Sequence, residues 1–496
     1  MPFTLAPDAF PPTLAPARRL PILATVAALA LVTSSCAVNP VTGDREISLM
    51  TESQEIQLGE NSDESIVAQY GVLQDEEIAN YVQSIGQRMV PVSHRPDLPF
   101  TFRTLDDPVV NAFALPGGFV YITRGILAYL NSEAALAGVI GHEIGHVTAR
   151  HGVQRYTQQA ILGAGLGLGS VLSETFANYA DLAGQAAGLL LLKYGRDDER
   201  QSDRLGVEYA TALGYDTTDM AEFFHTLHRL SPPDGRLPSW MSTHPDPGER
   251  WNTVRELTRE EQSPSGEYTT NREHFLRTID GLVFGTDPRE GYFRGDLFVH
   301  PQLRFTFPTP SGWQRQNGKS QVVMVEPEQA AAVIFQAAPG GSASEAATAF
   351  TGQEGMTLVD RSNVTVAGNA GVRTVVRMPA EGGTQVVVST FFGYGGGQWV
   401  FHGLTSEASY SAYAATLTGP ADGFEPLSDP ELMNVQPVRL KIVEAPRAGS
   451  FRQIAADHPI PENDLVGDLQ GLAILNGVEL DTPVQAGALI KILARE

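Results

Sequence analysis

His142-Glu143-Ile144-Gly145-His146 places two imidazoles four residues apart with a carboxylate between them. On a helix, at about 100° per residue, positions four apart differ by only about 40°, so both rings point from one face toward one ion. Imidazole nitrogen suits Zn²⁺ at roughly 2.0–2.1 Å. Glu143 falls about 100° round from His142, placed to reach water beside the ion without ligating it. The chemistry this pattern serves is hydrolysis. A metal lowers the pKa of water toward about 7 and polarises a carbonyl; a glutamate takes the proton and passes it to the leaving amine. The competing reading is a pair of solvated helix histidines.

Two histidines under-coordinate a catalytic zinc, which takes three protein ligands and keeps a position open. His151 is a poor third, because nine residues after His142 it falls about 180° round the same helix. Ala149 and Gly152 stand where a metzincin carries Gly and His. That leaves a carboxylate from another helix. In Gly195–Gly206, Glu199 and Asp203 are four apart on one face, continued by Gly206 and Ala210. Gly138, His142, Gly145 and Ala149 form a similar stripe on the first helix. Small residues on both stripes let two helix axes approach until a short side chain reaches the metal. Asp203 is then placed to accept the spare N–H of a ligating histidine and fix its tautomer. By spacing alone, a solvated acidic helix start explains Glu199 equally well.

The elements that must hold these residues follow from periodicity. Thr51–Tyr70 and Asp75–Met89 read as amphipathic helices. Phe100–Leu105, Val109–Leu115 and Phe119–Thr123 read as strands, the last two joined by the turn Pro116-Gly117-Gly118. The histidines then sit on a helix from about Ser132 to Arg150, with Asn131 or Ser132 as N-cap. Ala160–Leu192 is apolar but interrupted, and reads as a buried helical pair against the alternative of a membrane-apposed hairpin. The predicted fold is multidomain. A mainly α zincin-type metalloprotease domain with a small β-sheet spans 36–264, and a linker spans 265–297. A small α+β domain spans 298–430, and a strand–helix–helix–strand unit 437–496.

At 496 residues, two to four domains are expected. A net charge of −23 argues against nucleic acid as a partner. The single cysteine, Cys36, excludes an internal disulfide. It follows Arg18-Arg19, an apolar run from Leu20 to Val32 and Thr33-Ser34-Ser35, so 1–35 reads as a secretory signal. Small residues before a cysteine resemble a bacterial lipobox, although Thr33 stands where Leu is commonest. The resemblance makes Cys36 the lipidated first residue of the mature chain, and Ala37, in place of Asp, implies the outer membrane of a bacterium with the protein in the periplasm.

His142–His146 together with Arg196…Glu199…Asp203-x-x-Gly206 resembles the BepA- and HtpX-like zinc metallopeptidases, peptidase family M48. In that family the first Glu of the second block is the third zinc ligand, which here is Glu199. Gln201 and Ser202 stand where Glu and Ala are usual. Asn111–Gly118 resembles the family's edge strand and turn, and Val38–Gly43 its lipoprotein members. The resemblance covers roughly Cys36 to Arg250. It implies one Zn²⁺ per chain on His142, His146 and Glu199, with Glu143 as base. An open edge on Val109–Leu115 would hold an extended peptide by main-chain hydrogen bonds, which favours unfolded or loop polypeptides as substrates, and outer-membrane assembly machinery is expected as a partner. His244, before Pro245, resembles a family histidine that reaches the zinc as a reversible fourth ligand; an ordinary loop histidine is the alternative. The C-terminal unit resembles a LysM module, which implies peptidoglycan as a partner, although Ser450-Phe451 follows Gly449 where an acidic residue is usual. Two functions are thus expected to compete: a tethered periplasmic zinc endopeptidase for misfolded or stalled envelope proteins, and an envelope chaperone or cell-wall scaffold with a latent protease domain.

Overall fold

The computed structural model describes residues 36–165, 194–230, 244, 247–263, 265–380, 383–463 and 465–495. The signal-like segment 1–35 and residues 166–192 of the apolar stretch lie outside the described residues. Among the described residues no helix is long and apolar enough to cross a membrane.

The helical unit opens with α1 (Glu52–Tyr70) and α2 (Glu76–Met89). Thr51 accepts from the Gln54 amide in a capping box and Asp75 from that of Ile78, satisfying donors that a helix start leaves free. Three strands follow, β1 (Thr101–Leu105), β2 (Ala112–Leu115) and β3 (Phe119–Thr123), ordered β1-β3-β2. β2 and β3 are antiparallel with Leu115 opposite Phe119, as the turn predicts, and β1 is parallel to β3. Gly117 and Gly118 have φ of 85° and 96°, which only glycine adopts at no steric cost. A Cβ on Gly117 would also lie 2.7 Å from the Cα of Ile56. β2 is an edge strand, yet all four of its residues are buried.

α3 (Arg124–Tyr129) leads into α4 (Glu133–Thr148), which carries the histidines and is buried along its whole length. Ser132 caps it, accepting from the Ala135 amide at 3.1 Å. At the other end Arg95 donates to the Val147 carbonyl at 3.1 Å and to Glu55 at 2.8 Å. The helix stops two residues before the predicted Arg150. Arg150 takes a φ of 59°, a left-handed turn that starts α5 (His151–Gly165) in a new direction. α6 (Arg196–Ala212) packs on α4, with α7 (Thr218–Arg229) and α8 (Pro247–Glu261) beside it. The small-residue stripes do meet. A Cβ on Gly206 would lie 3.0 Å from the His142 amide nitrogen and 3.1 Å from the Gly138 carbonyl oxygen.

Segment 265–297, expected as a linker, contains α9 (Arg272–Thr278) and buries Phe275, Leu276, Ile279, Leu282 and Phe284 in the core of the helical unit. Its apolar residues are few and set among charges, so they carry no strong period. The Gly281 and Phe284 amides donate to Leu440 and Val438, which joins this segment to the C-terminal unit. That unit runs β11 (Val438–Glu444), α12 (Phe451–Ala455), α13 (Leu469–Leu475) and β12 (Leu489–Arg495), in the strand–helix–helix–strand order expected. Leu440 pairs with Leu493. Its Phe451, Ile454, Leu472 and Leu475 belong to one hydrophobic core with Ile140 and Ile144 of α4.

Between them in sequence lies an antiparallel seven-stranded sheet. Its strands are β4 (Gln314–Asn317), β5 (Gln321–Val325), β6 (Ala331–Ala337), β7 (Thr357–Val366), β8 (Asn369–Ala380), β9 (Gly383–Tyr394) and β10 (Gly397–Ser406). The order is β7-β8-β9-β10-β6-β5-β4. Helices α10 (Ala343–Thr351) and α11 (Tyr410–Asp422) pack on it. β7 is an edge strand exposed along nearly all its length, so no face of it had to be apolar. This region has a separate core, built on Phe298, Phe305, Phe307, Phe335, Phe392 and Phe401.

Candidate metal centre

α4 and α6 cross with His142, His146 and Glu199 facing one point, and His244 joins them from outside both helices. One donor atom from each of the four lies within 4.8 Å of all the others. The Nε2 atoms of His142 and His146 are 3.0 Å apart, and Glu199 carboxylate oxygens lie 3.6 and 3.5 Å from them. His244 Nδ1 is 3.0 Å from Glu199 and 3.4 Å from His142 Nε2. All four residues are buried. Three imidazoles and a carboxylate are a donor set that fits Zn²⁺.

The charges agree with that fit. Burial pushes the Glu199 carboxyl up, but His244 and Arg250 outweigh it and hold the group below its usual range. For Asp203 burial is again opposed by Arg250 and a hydrogen bond from His142, which bring it down to about 2. Burial, reinforced by the neighbouring histidines, keeps the His146 imidazole neutral, the form that ligates a metal. Glu199 and Asp203 thus sit on the guanidinium of Arg250, and Glu143 is near enough for its charge to be felt there. Burial pushes His244 down, yet Glu199 and Glu143 outweigh it and raise it, so the same carboxylates that suit a metal also attract this ring.

Glu143 lies beside the group and has no hydrogen bond to either carboxylate oxygen. Its Oε1 is 3.8 Å from His244 Nε2. Burial raises its pKa in spite of His244 and His142, which moves a carboxylate toward the range useful to a general base.

Behind the donors lies a second layer. His142 Nδ1 lies 3.0 Å from Asp203 Oδ1, close enough for the N–H contact that would fix its tautomer. Asp203 is held in turn by Arg250, at 2.9 Å from Nε and 2.5 Å from Nη2, while Arg250 Nη1 lies 3.0 Å from Glu199. Tyr194 stacks on the His146 ring, with centroids 3.9 Å apart and planes 25° from parallel. His151 is not among the four donors, as expected. It stands 3.0 Å from His146 nonetheless, because the helix on which it was placed ends before it.

Arg250 and Tyr194 were not found from the sequence. A signal for Arg250 existed: Arg250, Val254 and Leu257 share the buried stripe of α8, and an arginine on an apolar stripe needs buried partners. Tyr194 stands just ahead of α6, where no periodicity marks its role.

Residues 76–258 match peptidase family M48. The chain is 31% identical over 195 residues to the beta-barrel assembly-enhancing protease of Escherichia coli (strain K12), covering 37% of this chain and 39% of that one. It is 30% identical over 193 residues to the protein of that name from Yersinia pestis, covering 37% and 40%. With the mitochondrial metalloendopeptidase OMA1 of Schizosaccharomyces pombe it shares 29% over 189 residues, covering 37% and 53%. The chain therefore spans about two-fifths to one-half of the length of these relatives.

Proposed function

We propose that the chain is a zinc endopeptidase for misfolded or stalled proteins of a bacterial envelope, with residues 76–258, which match peptidase family M48, as its protease domain. The observation that carries this reading is the convergence of four donor atoms within 4.8 Å beside a buried carboxylate without a hydrogen bond. In this reading His142, His146 and Glu199 hold the metal, and Asp203 orients His142. Zinc held there supplies Lewis acidity toward a peptide carbonyl and acidifies water. Glu143 takes the proton from the attacking water and delivers it to the leaving amine. β2, at the sheet edge beside α4, would align an extended peptide by main-chain hydrogen bonds.

The setting is part of the same proposal. Cys36 is the lipid-bearing residue that ties the chain to the outer membrane from the periplasm. The relatives named for beta-barrel assembly support outer-membrane assembly machinery as a partner. The strand–helix–helix–strand unit supports a LysM-like contact with peptidoglycan.

One observation favours a second reading, in which the protease is latent and the chain acts as chaperone or scaffold. His244 stands inside the donor group and every donor is buried, which fits a fourth ligand that keeps substrate out until it swings away.

Glu143→Gln tests the first reading. Zinc should remain stoichiometric while cleavage of an unfolded polypeptide falls by at least about 10²-fold; cleavage at the wild-type rate would remove Glu143 from the chemistry. His244→Ala tests the second. It should raise basal cleavage several-fold, and a zinc-loaded His244→Ala chain that still cleaves nothing would leave the scaffold as the better account.

A further inference from the structure

We propose that His151 is a positioning residue for His146, fixing the tautomer of that ligand through a neutral relay that ends on Gln201. The inference rests on the metal reading above and goes beyond it, because it assigns a role to His151 and Gln201, which belong to no ligand set.

The argument is one of proton placement. His146 Nε2 faces the donor group, 3.0 Å from His142 Nε2 and 3.5 Å from Glu199. To ligate, that nitrogen must keep its lone pair, so the ring proton belongs on Nδ1. The atom facing Nδ1 at 3.0 Å is His151 Nδ1. It must accept, and must therefore be the bare nitrogen of a neutral imidazole whose proton lies on Nε2. His151 Nε2 lies 3.0 Å from Gln201 Oε1, a carboxamide oxygen that accepts that proton without adding charge.

The chain thus runs His146 Nδ1–H to His151 Nδ1, and His151 Nε2–H to Gln201 Oε1. If the Gln201 amide group faced His151 instead, every proton would move one place, His146 Nε2 would be protonated, and the ligand would be lost. Asp198 is farther from His151, at 3.9 Å, and is already bound by Arg155 at 3.1 Å and by the Gly195 amide at 2.9 Å. Ser202 Oγ, 3.3 Å from His151 Nδ1, adds a second polar neighbour.

The two ligand histidines are therefore backed differently. His142 leans on an anion, Asp203, locked by Arg250. His146 leans on an uncharged ring that is buried to 1% exposure. The left-handed Arg150 makes this possible. It breaks α4 and returns His151 to the ring it would otherwise face away from.

Zinc affinity, measured on the full chain by competition with a chromogenic chelator, tests the relay, with thermal unfolding of the metal-free protein as the control for folding. His151→Phe and Gln201→Leu should each weaken zinc binding by about 10- to 100-fold. Gln201→Glu, whose carboxylate accepts the same N–H, should restore wild-type affinity. The double variant should bind no more weakly than His151→Phe alone, since the relay passes through that ring. Cobalt(II) bound to Gln201→Leu should show an altered visible spectrum. Gln201→Leu with unchanged zinc affinity, or Gln201→Glu as weak as Gln201→Leu, overturns the relay and leaves the endopeptidase reading standing. A wild-type chain that binds no zinc overturns both.

Discussion

Arg250 and Lys491 are two cations sunk in the helical unit and its C-terminal partner, and their surroundings differ. Arg250 lies beside the histidine end of α4, with Asp203 and Glu199 on its guanidinium and the Phe224 ring 4.1 Å from its Cζ. Lys491, on β12, lies under the turn that leads into α4. Its Nζ donates to the carbonyls of Ala128 at 2.7 Å, Leu130 at 2.5 Å and Leu475 at 3.2 Å. These oxygens close the ends of α3 and α13, where helices leave carbonyls without an internal donor. One region buries charge against charge, because it must present anions to a metal. The other buries a charge against dipoles, because its task is to fasten the C-terminal unit to the helix pair. The contrast teaches that burial of a cation marks chemistry only when counter-charges are buried with it.

The strongest way to break the comparison is Arg250→Met. It leaves Asp203 and Glu199 buried without their cation, and removing one partner of a buried ionic group costs about 3–5 kcal/mol. Denaturant unfolding of the metal-free variant should show a loss of that size, and zinc should recover part of it by binding the folded state. A variant as stable as wild type without metal would mean that the carboxylates do not depend on Arg250.

The two regions were also unequally legible in the sequence. His142, Glu143 and His146 declare themselves by spacing within one helix. Glu199 and Asp203 needed a second helix: its stripe of small residues made a close approach plausible, but only the family resemblance singled out Glu199 among its acidic neighbours. Beyond that, the reading failed where contacts cross between elements. The wheel that set His151 opposite the ligands was sound geometry applied past the end of the helix, since nothing local announces that Arg150 turns left-handed. Lys491 stands in Leu489–Leu493 as one polar residue among apolar ones, on the face it shares with Leu489 and Leu493, so alternation does not reveal what its ammonium meets. Contacts between elements bury it, with its ammonium against the ends of α3 and α13. In β7 no face is buried, so no alternation marks it as a strand.

Lys491→Met sharpens the other side of the comparison. It deprives three buried carbonyls of a donor, at a cost of about 1–3 kcal/mol for groups left unsatisfied, partly offset by releasing a buried ammonium. The loss at neutral pH should be smaller than for Arg250→Met, and zinc affinity should be unchanged. A fall in zinc affinity as large as that of the relay variants would make the clasp part of the metal site.

The smallest expected effect is the most diagnostic, and it is a slope. Burial pushes the Lys491 pKa well below its usual value, and Arg272 pushes it the same way. In the unfolded chain the amine holds its proton up to about pH 10.4. Between the depressed folded value and that point, unfolding takes up a proton, so stability rises with pH. The folded lysine therefore costs stability at lower pH, and that cost fades as the solution becomes alkaline. Arg250 cannot behave this way, since its partners hold the guanidinium charged throughout. Unfolding free energies of wild type and Lys491→Met, compared from about pH 7 to pH 9.5, should converge or diverge through this one group. The wild type should gain relative to the variant as pH rises. Parallel curves would show that the ammonium is no harder to keep charged inside than in water, and the distinction between the two buried cations would collapse.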